Sequence, residues 1–484
     1  MKHILTLMAV LGYFVSFAQH RISGTVVTKD THLPIQGVSV KSPTQMVITD
    51  SSGSFTITAK VDDFLTFYYV GAKSATVKVP KEGAIYVELE QNVNDLNQVI
   101  VTGYTKERKK DLIGAVSVVN VEDMTKQSTA NPIKGLQGQV PGVFITSNGS
   151  PSGSGTNILI RGIGTLNSTQ PLYVIDGVPT EAGMHELNPN DIASMQVLKD
   201  ASAASIYGSR AANGVIIITT KKGRSNKLSV DVKAYNSASY YANKIPMLNT
   251  GGYGQLLWQA DINSGIDPNT NSVDYKYDWG LNQDGIPVLN KIMVPQFLDA
   301  AQTEKASNTN WFDQITHTGL VQNYDITLSN GNNKGDYLFS AGYFNNDGII
   351  KTTHFKRYSL RLNTDYKLFD NRLTIGENFT FNATNENILA DANILNTALQ
   401  ALPIIPVHTV TGGWGGPIGG MNDRQNPVRM LEDNKDNHYN YMRIFGNVFA
   451  DVKIVKGLTF HSSYGVDYGN YNSFAFTKNI SPAT

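Results

Sequence analysis

Few side chains in this 484-residue chain are spaced for bond-making chemistry. HExxH, GxSxG, the phosphate-cradling GxxxxGK[ST] and zinc-finger spacings are absent, and the nine histidines are scattered. The chain has no cysteine, which excludes thiolate metal sites, a sulfur nucleophile and disulfides. A secreted hydrolase is therefore disfavoured, and the sequence implies no cofactor and no metal. What remains is pairing and binding. Val99, Ile100, Val101, Thr102 and Gly103 form a β-prone run inside the polar stretch Gln91 to Lys110. Such a run in a solvated linker is an open edge for another protein's strand, or else a buried strand of a neighbouring domain. Lys106 to Lys110 reads as a solvated tether. Trp258, Trp279, Trp311 and Trp414 can stack on sugar rings or pack their own loops. Trp414, inside the glycine-rich Gly412 to Gly420, is the candidate ligand contact. Asp433 and Asp436 offer oxygens to calcium but miss the EF-hand spacing and read as hydrated surface.

Composition bounds the elements that hold these residues. With 41% hydrophobic and 17% charged residues there is room for three domains. Forty basic and forty acidic side chains give no general attraction for nucleic acid. Lys2 and His3 precede the apolar run Ile4 to Phe17, and Ser16-Phe17-Ala18 has the small-x-small form cut by signal peptidase, which predicts a signal peptide over 1–18. A membrane-anchoring helix is the alternative, but the run is shorter than the roughly 20 apolar residues a span needs. An exported chain with no longer apolar run is periplasmic, secreted or an outer-membrane β-barrel.

The fold class expected is multi-domain and mainly β. Residues 19–90 alternate and turn like a small β-sandwich, with strands in RISGTVV, GVSVKS, MVITD, SFTITAK, DFLTFYYV, ATVKVP and IYVELE. Residues 91–110 are a linker. Residues 111–224 are an α+β unit: strands at Val116 to Val119, Val143 to Thr146 and Asn157 to Arg161, a helix at Pro132 to Val140, then Leu172 to Ile175 stopped by the turn pair Asp176-Gly177. Helix-start chemistry at Asn188 to Asp191, a strand at Met195 to Leu198, a helical turn at Ala201 to Tyr207 and a strand at Gly214 to Thr220 complete it. From 225 to 484, strands with apolar and aromatic residues on alternate positions suggest a transmembrane barrel wall. They centre on Leu228 to Ala234, Tyr324 to Leu328, Tyr337 to Tyr343, Tyr358 to Leu362, Leu373 to Phe381, Met442 to Lys453 and Leu458 to Tyr468. Short connections (Gly331 to Gly335, Phe369 to Arg372, Val455 to Gly457) alternate with mostly long ones, as periplasmic turns and extracellular loops do.

PLYVIDGVP and LKDASAASIYGSRAANGVIIITTKKG, between Pro171 and Gly223, resemble the plug domain of TonB-dependent outer-membrane receptors of the SusC/RagA family. GLQGQVPGVFITSNGSPSGSGTNILIRGIGTLN extends the resemblance across the unit. The plug signature falls on Arg161, Gly162, Asp176, Gly177, Lys199, Asp200, Tyr207, Gly208, Arg210, Asn213 and Gly214. Arg161 is expected to pair with carboxylates that hold the plug or line the wall. Residues 21–89 resemble the carboxypeptidase-regulatory-like domain, with Ala72 where an aromatic is common. Val99 to Gly103 resembles the TonB box.

The resemblance implies import of oligosaccharides or peptides across a bacterial outer membrane, with the N-terminal domain and TonB box in the periplasm. Its partners would be TonB with its energising complex, a SusD-like surface lipoprotein and membrane lipid. A receptor or adhesin without transport is the alternative; a signalling transducer is disfavoured because the leading domain reads as a sandwich. The family implies about 22 strands. Seven would leave two open edges in lipid, and roughly ten bare backbone groups there cost tens of kcal/mol, so the chain reads as part of a receptor about twice as long.

Overall fold

The computed structural model describes residues 20–29, 32–69, 72, 74–81, 83–90, 99–102, 105–108, 116–119, 121–125, 127–164, 169–200, 204–223, 228–272, 274–387 and 393–476. The signal peptide expected at 1–18 and Gly103 lie outside them. Two bodies divide the chain, 1–112 and 113–484.

Period-2 alternation in the first body gives two sheets around one apolar interior. In one, His20–Thr28 lies between Ser54–Ala59, antiparallel, and Ile85–Leu89, parallel. The other runs Met46–Ile48, Ser39–Lys41, Phe64–Tyr68, Ala75–Lys78. Phe55 and Ile57, placed on one face by the sequence, are both in the core. Phe55 meets Phe67 edge-on, with ring centres 5.4 Å apart. Ala72 packs half-buried against the same core. The same body contains a separate hairpin, Val99–Thr102 antiparallel to Thr105–Arg108.

In the second body the α+β unit is built on a five-stranded sheet. Its order is Val116–Val119, Ile192–Leu198, Val215–Thr220, Leu172–Ile175, Val178–Thr180. A second hairpin, Val143–Ser147 with Thr156–Ile160, and the helix Val121–Thr125 close over it. The apolar runs of Leu172–Ile175 and Val215–Thr220 are buried almost throughout, as strands covered on both faces are. The turn between Leu172–Ile175 and Val178–Thr180 puts Asp176 at φ 49° and Gly177 at φ 87°, the doubly positive geometry of a two-residue type I′ loop. The helix expected over 132–140 is a 3₁₀ turn at Pro132–Leu136 that ends where Gln137 swings to ψ 122°. The one expected over 201–207 is a 3₁₀ stretch at Ser205–Ala211, residues 201–203 being outside the described set.

Seven long strands then pair antiparallel in chain order: Ser229–Ser239, Gly319–Asn332, Gly335–Asp347, His354–Leu368, Leu373–Asn387, His438–Val455 and Leu458–Phe474. Their register inverts the pattern of a soluble sheet. Val232, Ile326, Phe339, Leu360 and Ile444 are exposed on the outer face, while Asn323, Asp325, Ser340, Arg357, Arg361 and Arg443 are buried on the inner one. The sixth strand's facing is obscure in sequence because Phe445, directly after outward Met442 and Ile444, turns inward into the core of the α+β unit. Tyr324, Tyr343 and Tyr358 stack in a row on the outer face, with ring centres 6.2 and 5.2 Å apart. Tyr366, also exposed, is eight residues below Tyr358. At ~3.3 Å per residue and ~40° of tilt that separates the girdles by about 20 Å, near the height of an outer-membrane apolar band. The wall is an incomplete barrel with free edges at Ser229–Ser239 and Leu458–Phe474. Among the described residues no helix is long and apolar enough to cross a membrane.

The described residues of the two long connections, within 240–318 and 393–437, fold together into a cap. Helices Thr250–Asn263, Trp311–Ile315, Ile394–Gln400 and Pro427–Asn434 and the hairpin Lys276–Leu281/Pro287–Met293 surround a core that includes Trp258, Tyr275, Trp311 and Ile404. Thr309 N donates to Pro403 O at 2.8 Å and Ser307 N to Ile404 O at 2.8 Å, binding one connection to the other.

Candidate functional site

The apolar core of the α+β unit, including Ile133, Leu136, Ile158, Met195, Ile216 and Ile218, also takes in Phe445 from the wall. Apart from Phe445 and the packing of Ala130 against Val321, Phe344 and Phe355, it meets the wall mainly through charged and polar groups. Arg361, on the fourth wall strand, reaches the Asp176 turn: its Nη2 donates to Asp176 Oδ2 at 2.7 Å and also contacts Thr220, while Nη1 donates to Thr380 Oγ1 at 2.6 Å. Asp176 in turn accepts from Thr220 N at 2.9 Å, and Asn447 donates to Asp176 O at 3.2 Å. Type I′ geometry explains the placement, because it projects the Asp176 end of the hairpin beyond the sheet.

A second latch centres on Arg443. It grips Asp467 with Nε to Oδ1 at 2.8 Å and Nη2 to Oδ2 at 2.9 Å, and donates from Nη1 to Glu186 Oε2 at 3.0 Å. Thr180 accepts from Arg443 and donates to Asp467. Arg357, 1% exposed, donates to three carbonyls of the unit, Ala130 O, His185 O and Leu187 O, at 2.9, 2.7 and 3.2 Å. Asn188 and Asn190 both donate to Asp325, at 2.6 and 2.7 Å, and Ser340 donates to Asp191 at 2.6 Å. Gly342 of the third wall strand makes room for this cluster: a Cβ there would lie 2.5 Å from Asp325 Oδ1 and 2.7 Å from Asn188 Nδ2.

Two adjacent groups in this seam titrate in opposite directions. Burial raises Glu186 from the usual 4.5 to about 7 against the pull of Arg443, whose two-pronged grip is taken by Asp467. Burial, with Arg357 and Arg443 nearby, lowers His185 from 6.5 to about 4. Glu186 therefore adds stability below about 4.5 that is lost as pH rises through about 7. His185 adds stability above 6.5 that is lost as pH falls through about 4. The two contributions oppose each other. As pH falls from 6.5 to 4, Glu186→Gln should loosen the unit more than the parent loosens, read as a larger rise in ion conductance of the reconstituted protein; matching profiles would refute this coupling.

The signature residues divide by role. Asp176 and Gly177 sit at the wall. The others knit the unit to itself: Lys199 Nζ donates to Pro141 O at 3.1 Å, Arg210 pairs with Glu181 at 3.2 Å, and Asn213 donates to Gln170 O at 3.3 Å. The carboxylate that Arg161 meets is Asp200, inside the unit rather than on the wall. Gly162 takes φ 98°, and Tyr207 and Gly208 lie in the 3₁₀ stretch. Gly214 has φ 88°, and a Cβ there would lie 2.9 Å from Ile160 Cδ1 and 3.1 Å from Leu198 O, so nothing larger fits.

Sequence reasoning did not single out Arg357, Arg361, Arg443, Asp325 or Glu186. The signal was present: in YSLRLN, Arg361 and Asn363 occupy the register opposite Leu360 and Leu362, and a charge there must face the lumen.

Val99–Thr102 pairs along one edge with Thr105–Arg108, in register Val99↔Arg108 to Thr102↔Thr105. Trp258 and Trp311 are buried in the cap core, and Trp279 packs half-buried against it. Trp414 is half-buried against His408, with ring centres 4.5 Å apart, beside Gly416, whose N–H donates to Glu304 at 3.0 Å. Asp433 pairs with Arg429 at 3.4 Å, and among the described residues no cluster of His, Asp and Glu suits a metal ion.

Residues 108–215 match the TonB-dependent Receptor Plug Domain, and residues 22–101 match the CarboxypepD_reg-like domain. TonB-dependent receptor P26 of Formosa agariphila is 31% identical over 95% of this chain and 44% of its own length. TonB-dependent receptor SusC of Bacteroides thetaiotaomicron is 31% identical over 96% of this chain and 46% of its own. The RagAB peptide importer in its open-open state superposes with a TM-score of 0.58 at 26% identity, over 77% of this chain and 42% of that one. The chain thus spans a little under half the length of these relatives. They are transporters rather than enzymes. The likeness runs through sandwich, plug and wall strands in one order, and the chain belongs to the SusC/RagA-type TonB-dependent receptors.

Proposed function

We propose that the intact protein imports a nutrient across a bacterial outer membrane with energy passed through TonB. The observation that carries this reading is the seam. A plug that takes few apolar side chains from the wall, Phe445 among them, and is otherwise held to it by guanidinium, carboxylate and amide groups can leave at the cost of few apolar contacts, because water replaces the hydrogen bonds it gives up. Val99 to Gly103 is the TonB box, on the periplasmic side, and the cap faces outward with a SusD-like lipoprotein as its partner. Oligosaccharides and peptides are the cargo classes; RagAB, similar in fold, is named a peptide importer.

Deleting Val99 to Gly103 in the intact receptor is expected to abolish accumulation of labelled oligosaccharide and peptide pools while leaving surface binding unchanged. Accumulation that persists would leave a receptor or adhesin without transport. Trp414→Ala is expected to weaken cargo capture several-fold at unchanged surface abundance, and unchanged affinity would return the indole to packing against His408.

A further inference from the structure

The energy-coupling segment is already a strand with a partner. Val99–Thr102 pairs antiparallel with Thr105–Arg108, so one of its two edges is occupied by the chain itself. In an antiparallel pair the backbone groups of successive residues point alternately toward and away from the partner. Thr102 and Thr105 flank a two-residue connection, which puts Ile100 and Thr102 on the inner edge and leaves the N–H and C=O of Val99 and Val101 on the outer one.

The other strand of the hairpin also has an outer edge, but its sequence is Thr-Lys-Glu-Arg. Consecutive charges of this kind are how sheets refuse further strands. The apolar Val-Ile-Val side has no such guard. Pairing also holds the segment extended before any partner arrives, so capture there does not have to order it. Opening the hairpin would forfeit its internal bonds and gain no additional ones, since an incoming strand uses only one edge in either case.

We propose that the hairpin is retained on capture: the periplasmic partner's extended strand adds to the Val99/Val101 edge, making Val99–Thr102 the middle of a three-stranded joint with Thr105–Arg108 on its far side. This rests on the assignment of Val99 to Gly103 as the TonB box.

Because the chain has no cysteine, the pairing can be locked cleanly. Val99 and Arg108 are opposite each other at a non-hydrogen-bonded position, the spacing a cross-strand disulfide accepts. In the intact receptor, Val99→Cys with Arg108→Cys is expected to bind the soluble periplasmic domain of TonB within about twofold of its reduced form. Glu107→Pro, which removes an inner-edge N–H and opens the hairpin, is expected to weaken binding about tenfold. Loss of binding on oxidation that reduction restores, or tighter binding by Glu107→Pro, would overturn the proposal and make Thr105–Arg108 a cover that must leave. Val101→Pro separates the two ideas. It removes an outer-edge N–H and should weaken binding at least tenfold; unchanged binding, or none by the parent receptor, would instead reject the TonB box assignment itself.

Discussion

Arg443→Ala is expected to unseat the plug while leaving the wall folded. The arginine is almost wholly buried and is the only group in its latch that faces both Glu186 and Asp467. Its removal strips the buried Glu186 of its ion-pair partner and leaves Asp467 with Thr180 as a donor. Breaking a buried pair from one side costs about 3–5 kcal/mol, a large share of the ~5–15 kcal/mol that holds a domain together. The outward face of the sixth strand does not use this side chain, and its backbone ladder is untouched. The effect should therefore show as leak: raised conductance of the reconstituted receptor and sensitivity of cells to antibiotics too large for the outer membrane. Arg443→Lys keeps the charge but loses the two-pronged grip on Asp467 and should fall between. Arg443→Ala with parental conductance would mean that other contacts retain the plug.

Trp311→Ala should dismantle the cap. The indole is 2% exposed, lies in the centre of the cap core, and donates from Nε1 to Leu402 O at 2.8 Å across the two long connections. Emptying that volume costs about 3–5 kcal/mol and also strips a buried carbonyl of its partner. Limited proteolysis of intact cells should then cut within 240–318 and 393–437, and cargo capture should fall, with no change in leak. Trp414→Ala should leave the proteolytic pattern alone, since Trp414 lies outside the cap core. An unaltered pattern for Trp311→Ala would show that the cap is held elsewhere.

The sandwich and the wall were legible because each strand there is specified locally. Alternation places Phe55 and Ile57 inward in one and Leu360 and Leu362 outward in the other, whatever the rest of the chain does. The cap was not legible for the opposite reason. Its helices are short and owe their stability to partners such as Leu402, 91 residues from Trp311. The latches fall between these cases. Alternation fixed that Arg361 and Arg443 face the lumen, but not that Asp176 and Glu186 would be there to meet them. The hairpin at Val99–Thr102 was not legible because its partner, Thr105–Arg108, is Thr-Lys-Glu-Arg, a charged run without β-prone alternation.

The latches pair charges across the seam, although the wall also holds Asp325 and Asp467. Arg357, Arg361 and Arg443 belong to the wall, whereas Asp176, Glu186 and Asp191 travel with the plug. Any displacement of the plug therefore leaves Asp325 and Asp467 on the wall beside Arg357 and Arg443, while it pulls the opposite charges of the seam apart. Screening confines their mutual attraction to about 8–10 Å, so re-closure is drawn home electrostatically only over its last stretch. Until then Arg361 is parted from Asp176, whereas Arg443 keeps Asp467.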